Sequence, residues 1–112
     1  MSRTSELMKL LGVEAAGLFS RKGFLEEFEG AMTNAEATVM ANLCADVTMN
    51  IELQGRLLGR LADDASGWDG YGWITFGPDR AVVAVRDNAC MVKSSQASLN
   101  QVIKTMTEST GR

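Results

Sequence analysis

The sequence predicts an α/β fold of the α+β kind: a five-stranded antiparallel sheet with a long central helix, in the order α-β-β-α-β-β-β-α. Three observations predict it. A capping signal at Thr33 opens a long stretch of helical apolar spacing. Two short apolar runs before it are joined by a Gly-containing turn, and three strand-like runs after it are joined by tight turns.

Residues 4–11 read as a short helix, with Thr4 or Ser5 as cap and Leu7, Met8, Leu10 and Leu11 on one face. Gly12 is placed to stop it. Val13 to Phe19 is mostly apolar, as a buried strand is, and Ser20-Arg21-Lys22-Gly23 supplies a turn into Phe24–Glu29. Arg21 and Lys22 are expected to do no more than solvate that turn. The three glutamates of the second run suit an exposed sheet edge.

The central helix has the strongest signal. Thr33-Asn34-Ala35-Glu36 fits a capping box. Met40, Leu43, Cys44, Val47, Ile51, Leu58 and Leu61 follow at helical spacing, interrupted only by the polar Gln54, and this stripe is expected to face the sheet. Asn42, Asp46, Glu52 and Arg56 mark the opposite side. A helix over 33–61 spans roughly 43 Å, against a diameter of about 34 Å for a compact domain of this length. Either the helix bends or ends near Gly55 and Gly59, or another chain covers the overhang. Two glycines at i, i+4 are either a weakened helix end or a flat spot where a second backbone approaches.

Residues 63–70 read as a polar, Gly-rich connection. Tyr71–Phe76 alternates like a strand, Gly77-Pro78-Asp79-Arg80 turns, and Ala81–Val85 is a buried strand. Asp87-Asn88 is expected as a two-residue turn before Ala89–Val92. Ser94-Ser95 caps a last helix whose inward face is Leu99, Val102, Ile103 and Met106. The helices are expected mainly on one face of the sheet.

The composition narrows the function. At 112 residues and 46% hydrophobic, residues 1–112 read as one domain with a core of its own. Eleven Lys and Arg against fourteen Asp and Glu give a net charge of −3, with no basic cluster for nucleic acid or an anionic membrane. No run approaches the ~18 apolar residues that span a bilayer, and the N-terminal residues lack the apolar stretch of a signal peptide. A cytoplasmic protein is expected.

Histidine is absent, which excludes Ser-His and Cys-His nucleophiles and the commonest metal ligand. No Walker-type phosphate loop occurs. Glu26 and Glu27 point to opposite faces of a strand, and Asp63-Asp64 read as solvated. No catalytic, cofactor-binding or metal site is assigned. Cys44 and Cys90 sit in apolar stretches and read as buried thiols, with a redox role the lesser reading. Trp68, Tyr71, Trp73 and Phe76 crowd nine residues without Lys or Arg. They either cap the core or form an interface at a sheet edge.

Val13-Glu-Ala-Ala-Gly-Leu-Phe-Ser-Arg-Lys-Gly-Phe-Leu-Glu-Glu-Phe resembles the first hairpin of the roadblock (dynein light-chain) family, which is related in shape to profilin-like domains. The long helix and the three-strand meander match as well, and Gly67-Trp68 and Gly72-Trp73 resemble Gly-Trp pairs in a prokaryotic roadblock-like group. The resemblance implies a non-catalytic homodimer that scaffolds or regulates, with paired long helices and joined meander strands. Carried over, the interface comprises Val47, Ile51, Gly55, Leu58, Gly59, Tyr71, Trp73 and Thr75. It also implies a protein partner such as a small GTPase or a regulatory complex. The alternative readings are a small-molecule sensor, with Trp68 and Trp73 as ligand or partner contacts, and a thiol-dependent redox protein.

Overall fold

A computed structural model describes residues 3–61 and 71–110. The elements are α1 (Arg3–Met8), β1 (Val13–Phe19), β2 (Leu25–Gly30), α2 (Asn34–Leu61), β3 (Gly72–Phe76), β4 (Arg80–Val85), β5 (Asn88–Lys93) and α3 (Leu99–Thr110). The five strands form one antiparallel sheet in the order β2-β1-β5-β4-β3, so β2 and β3 are its edges.

Helices cover both faces, not mainly one. Strand alternation explains the division. Ala81, Val83 and Val85 of β4 join Cys90 and Val92 of β5 under Leu7 of α1 and Val102 and Met106 of α3. Val82 and Ala89 point the other way, into a second layer with Phe19, Trp73, Ala41, Cys44 and Ala45 beneath α2.

The capping box forms at Thr33. Its hydroxyl accepts from the Glu36 amide at 3.1 Å, and Glu36 accepts from the Thr33 amide at 2.9 Å. Helix α2 then runs unbroken to Leu61 through Gly55 and Gly59. Its 28 residues measure about 42 Å, which equals the protein's longest extent of 42 Å.

The inward face of α2 differs from the expected stripe. Its buried residues are Ala37, Ala41, Cys44, Ala45, Thr48, Gly55 and Gly59. Leu43, Leu58 and Leu61 are 48%, 40% and 84% exposed, while Met40, Val47 and Ile51 are half-buried. Small side chains let a helix lie close to a sheet, and that close approach turns the larger residues outward.

Two local boundaries also move. The β4–β5 turn is Arg86-Asp87, with Arg86 at φ 54°, and Asn88 is fully buried in the strand opposite Val85. Its Nδ2 donates to the Val85 carbonyl at 2.9 Å. At α3 the cap is Ser98, whose hydroxyl accepts from the Gln101 amide, while Ser94 and Ser95 lie in the preceding turn. Gly30 ends β2 at φ 118°. A side chain there would run into Glu14 and Ala15 of β1, so only glycine fits the turn towards α2.

Side-chain pairs tie the layers. Arg3 donates two hydrogen bonds to Asp87, at 3.0 and 2.6 Å, while Thr4 and Ser5 donate to Glu27 and Glu29 of β2. These contacts seat the short α1 on the sheet. Arg21 does more than solvate its turn: it donates twice to Glu52 of α2, at 2.7 and 2.8 Å.

Candidate functional site

The outward side of α2 is the most unusual surface. Val39 is 66% exposed, Leu43 48%, Leu57 50%, Leu58 40% and Leu61 84%, and half-buried Val47 lies among them. Isolated apolar side chains on a surface are ordinary, but a stripe of them along one helix side, interrupted here by Asn50 and Gln54, marks a contact. Its spacing reads the same from both ends: Val39 and Leu61, and Leu43 and Leu57, are equidistant from Asn50. Glu36 stands at the start of the helix and Arg56 and Arg60 near its end.

The eight residues assigned to an interface from sequence divide by position. Val47, Ile51 and Leu58 lie on or beside this stripe. Gly55 and Gly59 are buried on the inward side of α2. Tyr71 is 45% exposed, with the Arg86 guanidinium 5.1 Å from its ring centre. Thr75 is exposed on the edge strand β3. Trp73 is half-buried against the α2 layer, and its Nε1 donates to Thr48 Oγ1 at 2.9 Å. Trp68 and Asp63-Asp64 fall outside the described residues. Sequence reasoning misses Val39, Leu53 and Leu57 because they fall off the stripe expected to face inward.

The edge strand β3 pairs only with β4, leaving its outer side without a strand among the described residues. Phe76, at its end, is 66% exposed. The other edge, β2, carries Glu26, Glu27 and Glu29. Glu26 is exposed while Glu27 meets Thr4, so these neighbours diverge as expected of a strand.

The cysteines do not form a redox pair. Cys44 belongs to the layer under α2 and Cys90 to the layer under α1 and α3, and each is 1% exposed. Burial pushes their thiols up to about 11 and about 12 respectively, so neither supplies a thiolate near neutral pH. Among the described residues no group of three or more His, Cys, Asp or Glu side chains could hold a metal ion.

One apolar cavity lies between the first half of α2 and the sheet. It gives the centre of a water-sized sphere about 40 Å³ in which to move. Gly17, Phe19, Phe28, Ala41, Cys44 and Ala89 are among its walls, with Met32, Met40 and Met91 beside them. No side chain lining it carries nitrogen or oxygen.

No helix of the described residues is long and apolar enough to cross a membrane. The arrangement of sheet and helices is shared with several solved structures. The Roadblock/LC7 domain from Streptomyces avermitilis matches with a TM-score of 0.72 at 16% identity, over 95% of this chain and 87% of that one. An MglB with tetrameric arrangement matches at 0.73 and 16%, over 92% and 76%. The gliding protein MglB from Thermus thermophilus matches at 0.67 and 17%, also over 92% and 76%. No curated protein matches the chain at a significant level. At these identities the solved structures establish the fold, which is of the roadblock/LC7 type, and the chain belongs to the family described as "Uncharacterized conserved protein (DUF2173)", whose model matches residues 3–108.

Proposed function

We propose that the protein is a non-catalytic interaction or regulatory module that works as a homodimer. The observation that carries this reading is the exposed apolar stripe of α2, whose spacing is symmetric about Asn50. Two copies related by a twofold axis present the same patch to each other. Set antiparallel, Val39 faces the partner's Leu61 and Leu43 the partner's Leu57. The same arrangement brings Glu36 at one helix start to within about one turn of Arg60 at the other's end.

The β3 edge, with Thr75 and Tyr71, extends the surface towards a joined sheet. Gly55 and Gly59 contribute indirectly, by seating α2 closely on its own sheet. The shared fold with an MglB of tetrameric arrangement supports self-association as a use of this architecture. A small GTPase or a regulatory complex is the kind of protein such a dimer would engage.

Gel filtration with light scattering tests the reading. At micromolar concentration the wild-type protein runs as a dimer, and Leu43→Glu and Leu58→Glu give folded monomers. A wild-type protein that stays monomeric at that concentration overturns it.

A further inference from the structure

We propose that the cavity beneath the first half of α2 is a binding site for a small uncharged apolar molecule, the size of a short alkyl group or one aromatic ring. Its origin lies in small residues facing small residues. Ala41 and Cys44 look down from α2 onto Gly17 and Ala89 of the sheet. Larger residues of the same layer, Phe19 and Trp73, hold helix and sheet apart to one side. The space between is left unfilled.

Chemistry selects the guest. The pocket is larger than one water needs, since the centre of a water-sized sphere has about 40 Å³ in which to move. Water there would find no side-chain partner, since no side chain in the walls bears nitrogen or oxygen. A charged guest would meet no counter-charge and would lose its hydration. An apolar guest loses little and gains contacts with the apolar walls.

Access is provided by methionine. Met32, Met40 and Met91 line both the cavity and a wider open groove of about 590 Å³ at the start of α2. A methionine has three rotatable bonds and adapts to irregular shapes, so these side chains yield to an entering ring without backbone movement. The cavity's own walls belong to the inward side of α2, while the groove that leads to it is also lined by Glu36 and Val39 of the outer side.

Benzene is the probe, titrated into the full chain carrying ¹³C-methyl methionine. Methyl signals of Met32 and Met40 shift to saturation, while exposed Met49 and Met106 in the other layer stay in place, and the midpoint of thermal unfolding rises by about 2 °C. Ala41→Leu fills the cavity and abolishes both responses in a protein with unchanged far-ultraviolet circular dichroism. Cys44→Met fills the same space from the next turn, should Ala41→Leu not fold. Shifts in the wild-type protein that stay linear in benzene, or a saturable response that persists in a folded, filled variant, overturn the proposal.

Discussion

The indole Nε1 of Trp73 donates to the hydroxyl of Thr48 at 2.9 Å, which joins the edge strand β3 to the middle of α2. Trp73 belongs with Phe19, Ala41 and Cys44 in the α2 layer. Thr48 is itself buried on the inward side of the helix. This one bond ties an edge strand of the sheet to the longest helix. Thr48→Val keeps the shape and strands the indole donor, so it should lower stability by about 1–2 kcal/mol. Chemical denaturation read by tryptophan fluorescence checks this, and a double-mutant cycle with Trp73→Phe should recover most of the loss.

Adjacent residues on α2 should behave differently. Leu58 is outward and Gly59 inward. Leu58→Glu should change stability by less than about 1 kcal/mol while altering the oligomeric state. Gly59→Glu forces a carboxylate into the protomer's interior and should cost about 2–4 kcal/mol. Light scattering paired with thermal melts separates the two. Equal loss of stability from both would place Leu58 inside the protomer.

Asp87 makes stability depend on acid. Its hydrogen bonds from Arg3 hold its carboxyl below the usual range, against the opposing effect of burial. The folded pKa is lowered, so this stabilisation is fully present above the unfolded value, near ~3.9, and is lost as pH falls from there through the folded pKa. Asp87→Asn should therefore cost about 0.5–1 kcal/mol at pH 7, since the pair is partly exposed. The gap from wild type should shrink in melts taken below about pH 4.

The thiols should be inert while the protein is folded. Cys44 and Cys90 are each 1% exposed, with pKa pushed up to about 11 and about 12 by burial. Labelling by a disulfide reagent under mildly alkaline conditions should proceed only through unfolding, and its rate should climb with denaturant. Prompt labelling of either in native buffer would refute this.

Capping at Thr33 should count for about 1 kcal/mol in Thr33→Ala, because the hydroxyl and the Glu36 carboxylate each satisfy an amide at the helix start. Denaturant midpoints of wild type and variant measure it directly.

Local signals in the sequence carry far. The β1 limits and the start of α2 are visible because they rest on short-range chemistry: an apolar run ended by a turn, and a hydroxyl three residues from a glutamate. Short-range chemistry also misleads where two candidates lie close together. Asp87-Asn88 has good turn residues, yet Arg86 takes the positive φ. Asp87 is bound by Arg3, and Asn88 is buried opposite Val85. Likewise Ser98 caps α3 ahead of Ser94 and Ser95, since the chain leaving β5 first turns through residues 94–96.

By itself the sequence determined the order of elements, the long helix opened at Thr33, and the absence of histidine chemistry. These follow from hydrogen bonds and periodicities that span a few residues. Only the tertiary structure decided which side of α2 faces the sheet. Helical spacing is satisfied equally by the stripe of Leu43, Leu58 and Leu61 and by the neighbouring stripe of Ala41, Cys44, Thr48 and Gly59. Local forces do not distinguish a helix from the same helix rotated about its axis. Close approach to β1 and β2 selects the small residues, and that selection leaves the leucines outside and the cavity within.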